Sequence, residues 1–360
     1  MSTPTTALLH LPSVDDYLGP SATRFFSAGY RRAEHTVDDV RISTGTAGGD
    51  RAGVSARVSL AYPRDWSKKK ASTDLFPHVS TVDMLVIGIQ LCEAYLAHVH
   101  RLGAADRRRA RVRKITLKAG TTPQEELTGL TAGAELRRTR QDPAAVGGHV
   151  STFTAHVGVM TARYEIEHAV ADEPRGEATY ASLDDVLGPA AARYYGDGFK
   201  LRSHTVTDVR ADVAELTATA TVAAQDLPGY ADAATAGLDG DRLAGELTPV
   251  DCFVTNLQLI QVLMYELDGI RRQDSNTLWM QQTVLTATGP AHPADAPATA
   301  EAALTGSWLV PLRGGLWRDV AISARLGGYE MQCSFAHELP PFAAAAAVAA
   351  AAADQTTPRA

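Results

Sequence analysis

Residues 15–41 read DDYLGPSATRFFSAGYRRAEHTVDDVR, and residues 184–210 read DDVLGPAAARYYGDGFKLRSHTVTDVR. About half of the aligned positions are identical without a gap, and the other differences are mostly mild, such as Phe25 against Tyr194. Two stretches of this length do not become so similar by chance. The pair therefore indicates an internal duplication, with the second copy beginning 169 residues (184 minus 15) after the first.

The duplication extends over most of the chain, because two later stretches also repeat. STVDMLVIGIQL at 80–91 matches TPVDCFVTNLQL at 248–259, and residues 149–168 match residues 318–337. We therefore expect two repeats and an alanine-rich tail, with boundaries at 1–180, 181–342 and 343–360. The low complexity of the tail predicts a fraying helix or a disordered segment.

Hydrophobic periodicity gives each repeat the same order of elements. Apolar and polar residues first alternate, which is typical of a β-hairpin. An apolar stretch with helical spacing follows at 82–102 and again at 250–270. Ser80 or Thr81, and Thr248, stand where an N-cap is expected. Further strands are predicted at 111–119, 150–168, 278–288 and 320–337.

Strands, one buried helix and more strands describe a sheet that curls around a helix, which is the hot-dog architecture. The predicted fold class is α+β, a tandem double hot-dog in which each repeat has a long central helix wrapped by an antiparallel sheet. A single copy would leave a sheet edge and a helix flank exposed, and pairing of two copies buries both.

The composition of the 360 residues excludes several classes of protein. A hydrophobic content of 45% is typical of globular chains, and a formal charge of -7 argues against a nucleic-acid binder. Three cysteines that lie far apart predict buried thiols in a reduced, cytoplasmic protein. No secretion signal or membrane span is predicted, and no motif indicates a phosphate loop, a zinc site or a serine hydrolase.

Four polar positions recur in both repeats and are the candidate catalytic or structural residues: Arg24 and Arg193, His35 and His204, Asp83 and Asp251, and Gln90 and Gln258. In each helix the aspartate and the glutamine are seven residues apart, so both project from one face. A carboxylate in an apolar groove would have a perturbed pKa and could act as an acid or a base. Alternatively, each aspartate only caps its helix.

The other recurring positions have structural alternatives too. The histidines could transfer protons, or they could contact a nearby strand. The glutamines could contact substrate, or they could hydrogen-bond the backbone inside the core. For the arginines a structural ion pair is favoured, and Asp39 and Asp208 of the same motif are candidate partners.

One segment breaks the symmetry of the repeats. YPRDWSKKK at 62–70 precedes the first helix, whereas the second repeat has AAQDLPG and a stretch rich in Gly and Asp. An aromatic ring beside lysines could hold an anionic group, although a solvated loop is the alternative. The candidate substrate contacts are Trp66, Lys68, Lys69, His78 and Ser80.

A second basic run, ADRRRARVRK at 105–114, could complement the negative end of the helix or dock an acidic carrier protein.

These motifs resemble the avirulence D (AvrD) family of bacterial proteins, which are associated with the synthesis of syringolides. The resemblance lies in LGPxxxRYYGxGF with HTVTDV, and in YPRDWSKKK followed by SxVDxxVxxxQL, and it covers both repeats. It implies condensation of a β-ketoacyl thioester with a sugar such as xylulose. The layout is also similar to the hot-dog enzymes of butyrolactone synthesis, which join a β-ketoacyl chain to a triose phosphate.

The leading hypothesis is therefore an acyl-condensing enzyme of secondary metabolism. Its substrates would be an acyl thioester, bound to a carrier protein or coenzyme A, and a small polyol or sugar. The acyl chain would lie between the two helices, with the histidine of one half working with the aspartate of the other. No metal or other cofactor, nucleic acid or membrane is expected, and the protein would be a monomer or a homodimer. The alternatives are a dehydratase or thioesterase, and a non-catalytic protein that binds acyl ligands.

Overall fold

Fourteen strands form one continuous antiparallel sheet in the computed structural model, which describes residues 8–45, 51–67, 76–233, 236–243, 245–275 and 278–356. The strands are β1 (Leu9–Ser13), β2 (Glu34–Ser43), β3 (Gly53–Ala61), β4 (Arg111–Lys118), β5 (Leu130–Gln141), β6 (His149–Val157), β7 (Met160–His168), β8 (Ala178–Ser182), β9 (Arg202–Asp212), β10 (Thr217–Asp226), β11 (Trp279–Ala287), β12 (Ala298–Leu312), β13 (Gly315–Leu326) and β14 (Tyr329–Glu338). The helices are α1 (Asp15–Leu18), α2 (Thr81–Val99), α3 (Ala104–Arg109), α4 (Asp184–Leu187), α5 (Tyr230–Ala233), α6 (Gly240–Leu243), α7 (Pro249–Asp268) and α8 (Pro341–Thr356).

The two halves join at the centre of the sheet. The strand order is β1-β9-β10-β12-β13-β14-β11-β4-β7-β6-β5-β3-β2-β8, and β11 pairs with β4 with Gln282 opposite Lys118. Tyr30 and Phe199, which occupy corresponding positions in the repeats, stack with their ring centroids 6.3 Å apart. Equivalent elements thus meet each other, as expected for two copies related by a pseudo-two-fold axis.

The first strand of each repeat pairs with the other half. β1 pairs with β9 of the second half, with Leu9 opposite Ala211, and β8 pairs with β2 of the first half, with Asp38 opposite Ser182. The predicted boundary between residues 180 and 181 falls within β8. Each half therefore completes its sheet with a strand from the other repeat.

The long helices α2 and α7 form the core of the two halves. Both begin with a capping box, in which Ser80 and Thr248 accept a hydrogen bond from the backbone N–H of Asp83 and Asp251, respectively. Both helices are buried on nearly all sides, because the sheet wraps around them. α2 is long and apolar enough to cross a membrane by length and composition alone, but 94% of its most apolar stretch is buried inside the fold.

The predicted double hot-dog fold is confirmed, and the differences lie in individual strands. The predicted strands at 150–168 and 320–337 are hairpins that turn at Gly158 (φ 55°) and at Gly327 (φ 59°). β5 and β12 were not predicted, because LTAGAELRRTRQ and ATAEAALTGSWLVPL contain many alanines and few β-branched residues. The tail begins with α8.

Candidate functional site

A cavity of about 360 Å³ lies between the N-terminus of α2 and one face of α7. Both central helices contribute to its wall, so an apolar ligand would lie between the two halves. Its apolar wall consists of Phe25, Phe26, Phe76, Val79, Val159, Met160, Phe253, Leu257, Leu278, Met280 and Phe335, together with Ala119, Gly120, Pro123 and the rings of Trp66 and Trp279. Its polar wall consists of Arg24, Ser67, His78, Ser80, Thr81, Thr122, Gln124, Glu125, Gln258, Gln261 and Arg272.

A buried arginine and a glutamine join the two halves at the cavity wall. Arg24 Nη1 of the first repeat donates to Gln258 Oε1 of the second over 2.7 Å. The amide nitrogen of Gln258 donates to the backbone carbonyls of Phe26 and Val254, each at 3.1 Å. Gln258 was predicted either to contact substrate or to hydrogen-bond the backbone. It makes the backbone hydrogen bonds, and it also lines the cavity.

The predicted partners of the recurring arginines were wrong. Arg24 pairs with Asp15 and Arg193 pairs with Asp184, so the first aspartate of the DDxLGP motif holds the arginine. Asp39 instead has a left-handed backbone (φ 52°) at the point where the pairing of β2 with β3 shifts register. Asp208 has the same conformation (φ 47°) where the pairing of β9 with β10 shifts register. Aspartate tolerates this conformation better than most residues, which explains why it recurs there.

His35 and Asp83 contact each other beside the cavity wall. His35 Nε2 lies 2.8 Å from Asp83 Oδ1, the hydroxyl of Tyr62 donates to Oδ2, and the backbone N–H of Ser80 donates to Oδ2 over 2.7 Å. Although burial opposes ionisation, these hydrogen bonds and the charge of His35 hold the pKa of Asp83 below its usual value. Asp83 therefore both caps α2 and anchors His35 and Tyr62.

This cluster does not line the cavity in the structure. Phe25 and Trp66 line the cavity, and both pack against Tyr62, with ring centroids 6.4 and 5.5 Å away. His35 and Asp83 are not part of the wall, and their side chains are 7% and 2% exposed. Neither group contacts a ligand in the cavity without movement of the aromatic residues, so a catalytic role for either remains a prediction.

Each histidine contacts the aspartate of its own half, whereas the prediction paired the histidine of one half with the aspartate of the other. His35 contacts Asp83 of its own half, and His204 Nε2 lies 2.9 Å from Asp251 Oδ1, also within one half. Each histidine lies on a strand of its own half, β2 or β9, and its side chain reaches the aspartate in the first turn of the helix of that half. The contacts between the halves are instead made by arginine and glutamine.

The second aspartate has a different partner. Arg202 Nη1 donates to Asp251 Oδ2 over 3.1 Å. In the first half, the hydroxyl of Tyr62 donates to the corresponding oxygen of Asp83. His204 and Arg202 together hold the pKa of Asp251 below its usual value, against the effect of burial. A permanent cation thus neutralises the carboxylate of the second half, whereas a neutral phenol binds the carboxylate of the first.

The position in the second half that corresponds to the cavity is filled. Tyr195 and Tyr329, which correspond to the wall residues Phe26 and Met160, are 1% and 3% exposed. Residues 236–243 pack there as well, since the backbone N–H of Ala236 donates to the carbonyl of Ala192 over 3.1 Å. Gln90 lies on this side and accepts a hydrogen bond from Arg193 over 2.6 Å, away from the cavity. The two halves are therefore unequal: the described cavity lies at the N-terminus of α2, with residues of both halves in its wall, and the corresponding place at the N-terminus of α7 is occupied by side chains.

Three of the five predicted substrate contacts line the cavity. Trp66 packs edge-on against Phe25 at 5.3 Å and against His78 at 5.6 Å, and Ser80 caps α2 beside them. Lys68 and Lys69 lie outside the described residues, so their role remains a prediction. The cavity therefore lies beside the asymmetric segment.

Sequence reasoning missed Tyr62, Gln261 and Arg272. Tyr62 is the first residue of the asymmetric segment. Gln261 follows Gln258 by three residues and lies on the same helical face. The positions of Tyr62 and Gln261 in the sequence could therefore have indicated them as site residues. Arg272 reaches the cavity wall only through the fold, where its Nη2 donates to the carbonyl of Thr23 over 3.2 Å. No local pattern indicates this contact.

Much of the basic run at 105–114 is neutralised. Arg107, Arg108 and Arg109 form ion pairs with Glu93, Asp241 and Asp106 at 3.2, 3.3 and 2.8 Å, respectively.

Among the described residues, no three His, Cys, Asp or Glu side chains come together as a group that could hold a metal ion. The three cysteines are buried free thiols, as predicted.

The family model of the Pseudomonas avirulence D protein (AvrD) matches residues 9–340, which is nearly the whole chain. The chain belongs to the AvrD family. None of the curated proteins matches it in sequence.

Several solved structures are similar to this AvrD family member. A conserved double-hotdog protein of Mycobacterium tuberculosis is 12% identical, with 93% of this chain and 94% of that chain covered and a TM-score of 0.39. A conserved hot-dog protein of Alicyclobacillus acidocaldarius is 11% identical, with coverage of 88% and 98% and a TM-score of 0.37. The dehydratase domain of PpsC from Mycobacterium tuberculosis, in complex with C12:1-CoA, is 11% identical, with coverage of 83% and 98% and a TM-score of 0.34. All three TM-scores lie below 0.5.

Proposed function

We propose that this AvrD family member is an enzyme that acts on acyl thioesters, and that it joins a β-ketoacyl thioester to a small hydroxyketone or sugar. The observation that carries the proposal is the largely apolar cavity between α2 and α7, with Arg24 and Gln258 at its wall. Apolar cavities with a few convergent polar groups are typical of ligand sites. Membership of the AvrD family favours the condensation over other reactions of thioesters.

In this proposal the acyl chain lies along Phe26, Leu257 and Met160, and the thioester lies near the N-terminus of α2. Ser80 and Thr81 line the cavity at that end. The first N–H groups of a helix lack acceptors within the helix, and its N-terminus carries partial positive charge. Both would favour the negative charge that develops on the thioester oxygen when the α-carbon or the carbonyl carbon reacts.

Arg24 and Gln258 hold the polar co-substrate in this proposal. Arg24 is 3% exposed and Gln258 is 2% exposed, so hydrogen bonds that they form to a ligand are shielded from water. His78 is the titratable imidazole of the cavity wall and is the candidate for proton transfer there. His35 and Asp83 would support the wall through Tyr62 and Trp66.

Mass spectrometry of products distinguishes the candidate reactions. The protein is incubated with a β-ketooctanoyl thioester, with and without dihydroxyacetone or xylulose. An adduct that contains both carbon skeletons supports condensation, and free β-ketooctanoate supports a thioesterase. Loss of water from the 3-hydroxyoctanoyl thioester supports a dehydratase, and retained ligand without turnover supports a binding protein.

A matched pair of variants tests whether the activity belongs to the cavity or to the corresponding filled place. Gln258→Ala and Gln90→Ala each remove one hydrogen bond between the halves, at corresponding positions. We expect Gln258→Ala to lower kcat/KM at least tenfold and Gln90→Ala to change it by less than threefold, because only Gln258 lines the cavity. Equal losses in both variants would contradict the assignment of the site to this cavity.

A further inference from the structure

The two recurring arginines differ in how completely they are bound. Arg193 donates from Nη2 to Asp184 over 2.7 Å, from Nη1 to Gln90 over 2.6 Å, and from Nε to the carbonyl of Gly188 over 3.0 Å. Arg24 makes the corresponding bonds to Asp15 and Gln258. Its Nε, however, is buried without a hydrogen-bond partner among the described residues. Among the described residues, the guanidinium of Arg24 is therefore held by one hydrogen bond fewer than that of Arg193.

The two sites also differ by one buried carboxylate. Glu93 follows Gln90 by three residues, is 1% exposed, pairs with Arg107 over 3.2 Å and interacts electrostatically with Arg193. The corresponding residue of α7 is Gln261, which is neutral and lines the cavity. Arg193 thus has two carboxylates near it, Asp184 and Glu93. Arg24 has one, Asp15, because the amide of Gln261 replaces the second carboxylate.

A second guanidinium strengthens the positive character of this wall. Arg272 also lines the cavity, and burial together with the proximity of Arg272 lowers the pKa of Arg24 to about 10. A buried guanidinium beside another cation is stabilised by an anion that binds between them. In the filled half the carboxyl group of Glu93 lies in this place; burial raises its pKa, and the charges of Arg107 and Arg193 act in the opposite direction.

We infer that the end of the cavity bounded by Arg24, Gln258 and Gln261 receives an anionic group of the ligand, a carboxylate or a phosphate. This group takes the place that the carboxylate of Glu93 holds in the other half. The inference rests on the proposed function in one respect, namely that the ligand occupies this cavity. The anion has two sources, an acyl chain that ends in a carboxylate and a phosphorylated co-substrate.

Calorimetric titration of the full chain tests the inference with two matched pairs of probes. Octanoate is compared with 1-octanol, and dihydroxyacetone phosphate is compared with dihydroxyacetone. We expect at least one anion to bind at least tenfold more tightly than its neutral counterpart. Tighter binding of octanoate identifies the acyl carboxylate as the source, and tighter binding of the phosphate identifies the co-substrate.

The internal repeat supplies the decisive variant. Gln261→Glu restores the carboxylate that the second half already accommodates, and we expect it to weaken binding of the anion at least tenfold without affecting the neutral probe. Glu93→Gln is the matched control and should leave both affinities within twofold. Should Gln261→Glu fail to fold, Arg24→Gln is expected to show the same selective loss.

Equal affinities for anion and neutral probe, no binding of either anion, or an unchanged anion affinity in Gln261→Glu would each overturn the inference. Turnover of the β-ketooctanoyl thioester by the wild-type protein would still support the proposed function in those cases. The anion site can therefore be disproved without disproving the acyl-thioester activity.

Discussion

Asp239 is a buried carboxylate in the segment that fills the second half. It is 0% exposed, and the nearest guanidinium nitrogen, Nη1 of Arg242, lies 3.9 Å from its Oδ1, which is longer than a hydrogen bond. Burial raises the pKa of Asp239 to about 7, although Arg242 acts in the opposite direction. Between the ordinary pKa of aspartate and pH 7 the folded protein therefore binds a proton that the unfolded chain releases, and stability falls as the pH rises.

Asp239→Asn should therefore stabilise the protein at neutral pH. Asn has the shape of Asp and accepts the left-handed backbone of this residue (φ 65°). We expect a gain in the free energy of unfolding of roughly 1–4 kcal/mol at pH 8, and a gain near zero at pH 4, where Asp239 is protonated in the folded state. Urea denaturation at both pH values measures this difference, and a gain that does not depend on pH would contradict the assignment.

At the residue scale, the sequence predicted the identity of the recurring polar residues better than their partners. The capping role of Asp83 and Asp251 follows from position in the helix, which is local information. The partner of Arg24 was mispredicted, because Asp15 and Asp39 both lie close in sequence and only the fold decides between them. The exclusion of Asp83 from the cavity depends on how Phe25 and Trp66 pack, which no local pattern records.

At the scale of elements, α2 and α7 pack against their sheets with exchanged residue sizes. Gly88 of α2 faces Tyr164 of β7, and a Cβ at Gly88 would lie 2.2 Å from the tyrosine hydroxyl. That hydroxyl donates to the carbonyl of Met84 over 2.6 Å. The corresponding residues of the second half are Asn256 and Cys333, a larger residue on the helix and a smaller one on the strand. Each half thus fills the same space in a different way.

Gly88→Ala should destabilise the protein, although alanine favours helices by about 1 kcal/mol over glycine. The overpacking against Tyr164 outweighs this preference, and we expect a net loss of about 2 kcal/mol in the free energy of unfolding. In a Tyr164→Cys background the same substitution should be neutral or stabilising, because the second half has a cysteine at this position. A double-mutant cycle by urea denaturation gives the coupling, and additive effects would show that the two residues do not compete for space.

The long helices and most strands could be predicted because their hydrophobic periodicity is strong. β5 and β12 could not be predicted, since the arginines of β5 and the alanines of β12 obscure the alternation. The exchange of β1 and β8 between the halves could not be predicted either, because a short strand gives no indication of which edge it joins.

At the scale of the whole molecule, the exchanged strands and the β4–β11 pairing make the two halves one cooperative unit. We therefore expect both halves to unfold together in urea. Alkylation of the buried thiols, resolved by peptide mass spectrometry, reports Cys92 in the first half and Cys252 and Cys333 in the second. All three midpoints should coincide, and deletion of residues 1–14, which removes β1, should lower them equally. Separate midpoints for Cys92 and Cys252 would show that the halves are independent.

The two halves are unequal: among the described residues, a cavity lies at the N-terminus of α2, and side chains fill the corresponding place at the N-terminus of α7. A crystal structure with a β-ketooctanoyl thioester analogue that cannot react tests it most directly. We predict electron density for the acyl chain between Phe26, Leu257 and Met160, with the polar end of the ligand near Arg24 or the N-terminus of α2. Density for the ligand beside Tyr195 and Asp251 would contradict this inequality.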